Sequence, residues 1–336
     1  MKVLFLFPVF FVLNISAFGK GGKDYFNAKN DSNYIESYYN DLIVRIYSGE
    51  KSHSLELGDL NTGYRLQYLP NGYFNMGVGF IYRYFGLSLA TKIPFLQNNE
   101  FQKGETKRFG LQSYIYTDKF TVDIMTSFSK GYYLKNSFQH LNSYTKQLDY
   151  QRPDIASAEI GVSVNYIFNN AKFSYKAAFS GNDRQLKNAG SFIGGGSILS
   201  YSTKADSAFV PRGISYALFT KSRDVYKSGV LAFNANGGYA YSLVFLRSGI
   251  VTLSYIVGAG IQNDRIDGTS GNEVNNWRFS FNQTGRFGIG YRVKRYSARI
   301  GIIHSSQYTS LKYNDLGIVN GTDFIQISLA KRISLR

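Results

Sequence analysis

Cysteine is absent from this 336-residue chain, histidine occurs three times, and 22 acidic residues stand against 38 Lys and Arg. Without Cys there is no disulfide framework, no thiolate metal site, no iron–sulfur cluster, no thiol nucleophile and no lipid carried on a cysteine behind an export signal. His53, His140 and His304 are too few for a His-rich metal centre, so no metal or cofactor is expected. Charged residues reach only 18% while hydrophobic residues make up 44%, the reverse of a disordered chain. Long apolar runs are missing too: mean hydropathy is -0.21, and only residues 3–13 come near the roughly 20 apolar residues that a spanning helix needs. What is abundant is aromatic, with 28 Tyr and 27 Phe, residues that favour strands.

The one apolar run follows Met1 and Lys2 and precedes Ala17-Phe18-Gly19, whose small residues Ala17 and Gly19 come just before the cut. A charged start, a short apolar core and a small-x-small site together read as an export signal, so residues 1–19 are expected to be a cleaved signal peptide. Residues 20–41 are polar, rich in Gly and Asn and without periodicity, which predicts a flexible periplasmic lead-in. Residues 42–336 form the folded part.

From Leu42 onward apolar residues recur at period two. In residues 277–293, Trp277, Phe279, Phe281, Phe287, Ile289, Tyr291 and Val293 share one face, with Arg278, Ser280, Asn282, Thr284, Arg286 and Arg292 on the other. Such a run is far longer than a soluble-sheet strand of about 5 or 6 residues. Very short connections such as Asp118-Lys119 and Lys294-Arg295 imply hairpins. They alternate with long polar loops at 96–105, 135–154, 263–273 and 309–321. Tight turns at one end and long loops at the other predict a transmembrane antiparallel up-and-down β-barrel. Sixteen segments qualify as strands, including 42–47, 54–58, 172–180 and 213–220. The two short early ones read as accessory, so about 14 strands are expected, within a range of 12 to 16.

Four segments, Lys103-Gly104-Glu105-Thr106-Lys107, Lys130-Gly131-Tyr132-Tyr133-Leu134, Arg152-Pro153-Asp154 and 184–191, resemble recurring motifs of an uncharacterised Bacteroidota family known as a domain of unknown function. The resemblance covers residue 42 to the C-terminus. It implies an exported outer-membrane barrel and supplies no activity.

Polar residues must face the lumen, because charge on the lipid face is costly. Parity places Arg45, Arg65, Arg83, Arg108, Lys172, Lys176, Arg278, Arg286, Arg292 and Arg299 inside, opposed by only Asp123 and Glu159. Rings of cations favour anions in a pore; alternatively these side chains bond Tyr, Asn and Gln across a plugged lumen. The net charge of +16 also suits lipopolysaccharide phosphates. Nucleic acid is not expected: aromatics fall opposite the Arg residues, where bases could not stack beside the phosphates. Tyr82, Tyr84, Tyr114, Tyr116, Tyr132, Tyr133, Tyr239, Tyr241 and Tyr291, near strand ends, are expected in the interfacial girdles. Gly77, Gly79, Gly258, Gly260, Gly288 and Gly290 strip side chains from one face, which permits curvature or close approach.

One pair points to different chemistry. His304 and Ser306 share the outward face of one strand near the extracellular rim, about 6–7 Å apart along the backbone, within reach of a hydrogen bond. The His304-Ser305-Ser306-Gln307 stretch, with Asn314-Asp315 following, is similar to the His-x-Ser-Asn segment of outer-membrane lipid A deacylases over about a dozen residues. It departs in having Gln307 for Asn and Ile318 where the orienting Glu falls, so that Asp315 or Asp323 would substitute. The expected whole is a non-enzymatic outer-membrane barrel. It is read as a basic pore or binder for an anionic solute, or as a membrane platform for envelope partners. A lipid A esterase using Ser306 and His304 and an adhesive barrel are the alternatives.

Overall fold

The computed structural model describes residues 30–72, 74–93, 99–219, 223–268, 273–311 and 315–335. The expected signal peptide and residues 20–29 lie outside the described residues.

Among the described residues period-two alternation gives fifteen strands: β1 (Ile35–Ser37), β2 (Asp41–Asp59), β3 (Arg65–Leu69), β4 (Asn75–Tyr82), β5 (Phe85–Lys92), β6 (Lys107–Tyr116), β7 (Phe120–Leu134) and β8 (Tyr150–Ile167). β9 (Asp183–Gln185), β10 (Ala189–Lys204), β11 (Val225–Phe245), β12 (Gly249–Gly268), β13 (Glu273–Val293), β14 (Tyr296–Leu311) and β15 (Leu316–Ser334) follow. Among the described residues three short helices lie in connections: α1 (Glu100–Lys103), α2 (Ser137–His140) and α3 (Tyr175–Phe179).

Twelve strands close an antiparallel ring, β2-β4-β5-β6-β7-β8-β10-β11-β12-β13-β14-β15 and back to β2. The number falls at the low end of the expected range for definite reasons. Segments 42–47 and 54–58 are one strand, β2, paired with β15 throughout. Segment 172–180 coils into α3, and the described part of 213–220 is turns. β3 and β4 both pair with β2, one above the other, on either side of a break at Pro70-Asn71-Gly72. Above that break β3 reaches β7 directly; below it the β5–β6 hairpin is inserted between β4 and β7.

The outward face carries an apolar belt, and the interior is closed at both ends. At the long-loop end Phe209, Val210, Ile214 and Phe219 fold in upon Leu55, Leu57, Leu66 and Tyr68, all buried. The Arg152 guanidinium pins that loop by donating to the carbonyls of Ser207 and Ala208 while its other edge meets Asp154 at 2.8 Å. At the tight-turn end the β8–β10 connection turns inward. Its α3, capped by the Ser174 hydroxyl accepting from the Ala177 amide, packs Phe173 and Tyr175 against Tyr114, Tyr116, Ile167 and Ile256. Residues 30–41, expected to be a flexible lead-in, close this stopper from below: β1 pairs β9, and Ile35 and Tyr38 are buried.

Candidate functional site

Between the stoppers the interior is polar. Parity predicts the strand residues well: Arg45, Arg108, Arg278, Arg286, Arg292 and Arg299 project inward, and Lys176 reaches in from α3 rather than from a strand. Three expected lumen cations lie elsewhere. Arg65 is exposed on the outer face of the rim, paired with Glu56 at 3.0 Å, because Leu66 and Tyr68 take the inward positions of β3. Arg83 occupies the β4–β5 turn with φ 55°, over the rings of Tyr39 and Tyr82. Lys172 is exposed in the β8–β10 connection, over Tyr34.

The expected shortage of acids does not hold either. Lys176 sits between Asp118 (2.5 Å) and Asp183 (3.3 Å), Arg278 lies 3.9 Å from Asp264, and Arg332 pairs with Asp41. Arg286 grips Asp123 with both terminal nitrogens, at 3.2 and 2.8 Å, and donates to the Tyr116 hydroxyl. Glu159 accepts from Tyr201 and Thr322 and stands 3.5 Å from His53. Arg292 and Arg332 flank the Tyr38 ring at 4.6 and 3.7 Å. The surplus was inferred by counting strand residues; the missing carboxylates come from turns, from the stopper and from the strand ends.

Several of the inward cations line one cavity. A cavity of about 350 Å³ lies between β4–β6 and the facing wall of β14 and β15, above Phe179 of the stopper. Arg45, Lys51, Arg108 and Arg286 line it, with Tyr47, Tyr114 and Tyr116. Among the described residues no carboxylate lies within 4 Å of Arg45 or Lys51. Arg45 donates to the Ser88 hydroxyl at 2.7 Å and lies 5.6 and 5.9 Å from the ring centres of Tyr47 and Tyr114; its Nε is buried without a partner. Arg108 donates to the backbone carbonyls of Lys51 and Asn71, tying the top of β6 to the β3–β4 break.

Glycine makes this wall possible. To reach Ser88 on β5 from β2, Arg45 must cross β4, and it does so over Gly79, where a Cβ would strike its guanidinium; Tyr47 crosses at Gly77 and Tyr114 at Gly86 in the same way. Tyr114, Tyr116 and Tyr132, expected in the interfacial girdles, are therefore interior residues, buried beside the cations. Tyr82, Tyr239, Tyr241 and Tyr291 do face outward. Lys51 and His53 were missed because residues 42–47 and 54–58 looked like separate strands. The outward residues Glu50, Ser52, Ser54 and Glu56 interrupt the apolar alternation there, although the inward parity continues unbroken.

On the outer face Ser306 and His304 do come together. Ser306 Oγ lies 2.9 Å from His304 Nε2, and His304 Nδ1 lies 2.6 Å from Asp323 Oδ1. His304 and Asp323 are direct cross-strand partners. The group sits midway along β14, not at the barrel rim: below it Ile302 and Ile325 are outward and apolar, level with it is Ser52 and above it Ser54, both polar. That is the upper edge of the apolar belt. Of the two acids considered, Asp323 is the one that meets the imidazole, and Asn314 lies outside the described residues. Among the described residues no cluster of three or more His, Asp or Glu is arranged to hold a metal ion.

Outer-membrane proteins are among the solved structures that the chain is similar to. The outer membrane protease OmpT of Escherichia coli matches 89% of this chain and 98% of its own, at 8% identity and a TM-score of 0.39. A Pseudomonas aeruginosa FadL homologue matches 88% and 91% at 8% identity and 0.30. The Pseudomonas putida toluene transporter TodX matches 91% and 99% at 8% identity and 0.30. No curated protein matches. Residues 29–330 match the profile described as domain of unknown function (DUF4421), so the chain belongs to that family.

Proposed function

We propose that this chain is an exported outer-membrane β-barrel of a Bacteroidota envelope that binds an anionic small molecule in its interior. The observation that carries this is the pair Arg45 and Lys51, two cations on the wall of one interior cavity that, among the described residues, have no carboxylate within 4 Å. Burying a charge in a low-dielectric interior is expensive unless it is paired, and a bound anion supplies the pairing. The stoppers at both ends favour a binder over an open pore.

Titration of inorganic phosphate into the purified protein, followed by phosphorus NMR line width, tests the reading. The wild type is expected to broaden the signal, with affinity at least tenfold weaker in Arg45→Gln; no broadening by the wild type overturns it. In planar bilayers no steady conductance is expected, and a sustained anion current would replace the binder with a pore.

A second reading rests on the aligned Ser306, His304 and Asp323. With the carboxylate holding the imidazole, His304 Nε2 could take the Ser306 proton as the hydroxyl attacks an acyl ester of lipid A at the edge of the belt. It stands second because an oxyanion hole needs free donors, whereas β13, β14 and β15 spend their backbone amides on each other and the Gln283 amide donates to Tyr308. Mass spectra of lipid A from cells with wild-type protein and with Ser306→Ala should differ in acyl count; identical spectra remove the esterase.

A further inference from the structure

The wall in front of this cavity is incomplete. β5 and β6 are hydrogen-bonded only from Phe85, Gly86 and Leu87 to Ile115, Tyr114 and Ser113. Above these, residues 88–92 pair only with β4 and residues 107–112 only with β7, so the two strands part like an opening wedge. Ser88, Leu89 and Ala90 on one side and Phe109 and Gly110 on the other border the cavity. Everywhere else around the ring, neighbouring strands are joined by eight or more register pairs.

The break opens towards lipid. Leu329, Ile46, Val78 and Leu89 form one continuous register row across β15, β2, β4 and β5, and all four are exposed and apolar (57%, 57%, 42% and 58%). Phe109, on the opposite lip, is 68% exposed. Outward Lys107 and Lys130 stand just above it, which places the opening in the upper half of the belt. A water-soluble anion gains nothing from apolar lips at that depth, whereas a molecule that already resides in the membrane does.

We propose that the β5–β6 break is a side entrance from the membrane, and that the cavity behind it takes a single-chain anionic amphiphile. Its carboxylate or phosphate head is held by Arg45 and Lys51, and its chain lies between Leu89 and Phe109. This rests on the anion-binding reading of the same cavity. It adds the chain and the direction of entry. Charge-assisted hydrogen bonds hold the head, and the chain partitions the amphiphile into the bilayer in front of the entrance, so it binds at far lower total concentrations than a chainless anion.

The test uses the full chain in phosphatidylcholine nanodiscs with dansyl-undecanoate as the fluorescent probe. Saturable binding is expected, displaced by laurate and by dodecyl phosphate at concentrations at least tenfold below those at which inorganic phosphate displaces it; the more potent of the two identifies the head group. Gly110→Trp, which fills the entrance, should abolish probe binding. Phe109→Ser, at an exposed position that leaves the fold intact, should weaken it about tenfold while inorganic phosphate binding stays unchanged. If phosphate binds the wild type but the probe binds no more tightly, or neither variant affects the probe, the side entrance is overturned and the anion site stands. If phosphate and probe both fail to bind the wild type, the anion site falls with it.

Discussion

The two sides of the barrel are built differently. From β10 round to β15 the ladders are long, with β11 and β12 joined through twenty register pairs and a single register shift between Val225 and Lys227. From β3 to β6 the strands are short, stacked above one another or splayed, and β5 and β6 share three pairs. On the regular side the wall is held mainly by its ladders, with inward Gln262, Asp264, Ser280 and Gln307 hydrogen-bonded across them. On the irregular side the wall is held by side chains: Arg45 over Gly79 to Ser88, Arg108 to β2, and Thr106 between Asn71 and Gly131. The cavity lies where ladder has been exchanged for side-chain bonds.

Perturbing each side separately should expose this contrast. The largest effect is expected from Asp123→Ala. It strips the carboxylate from buried Arg286 and cuts the strut joining β7 to β13 across the lumen, at a cost of about 3–5 kcal/mol, read as a lower denaturation midpoint in detergent. A loss under about 1 kcal/mol would mean that the two sides are held by the ladder alone.

Next comes Thr106→Val on the irregular side. The buried hydroxyl accepts from the Asn71 amide and donates to the Gly131 carbonyl, both at normal distances, and two orphaned groups cost about 1–3 kcal/mol. The matching change on the regular side, Thr252→Val, removes one buried hydroxyl contact to Ser242 and should cost roughly 0.5–1.5 kcal/mol. Equal losses would erase the proposed difference.

The smallest effect concerns the long-loop stopper. His140, in α2, hydrogen-bonds the Tyr64 hydroxyl at 2.5 Å, and burial lowers its pKa. The folded state therefore favours neutral imidazole. That contribution is complete above the unfolded value of roughly 6.5 and is lost as pH falls through the folded value. Hydrogen exchange in residues 135–149, corrected for intrinsic rates, should quicken in that window; His140→Gln should abolish the dependence.

Much of the architecture was legible because a closed barrel writes itself as period two. Residues 277–293 keep the alternation except at Gln283 and Gly285 on the outward face, and Arg286 and Arg292 point inward as that alternation requires. The site was legible only in part. Arg45 and Arg108 followed from parity, and the period-two glycines announced close approach, though not that Arg45 and Tyr47 are what approaches. Lys51 was hidden because the outward face of β2 turns polar above the belt, so that one strand read as two. The acids were hidden because Asp118 and Asp183 reach their partners from a turn and a stopper, where strand parity carries no information. Nor does parity reveal the splay of β5 from β6, which depends on pairing across a loop rather than on either strand's own pattern. The outward pair His304 and Ser306 was readable from spacing alone, whereas Asp323 required the register between β14 and β15.

The natural absence of cysteine allows the most direct test. A single cysteine at Gly110, inward at the entrance, and another at Ser254, inward and buried on the regular side, can each carry a spin label in nanodiscs. A side entrance predicts that the label at position 110 is relaxed by oxygen dissolved in the lipid and by nitroxide-bearing lipid chains, while the label at position 254 is protected from both. Equal protection at the two positions would contradict it.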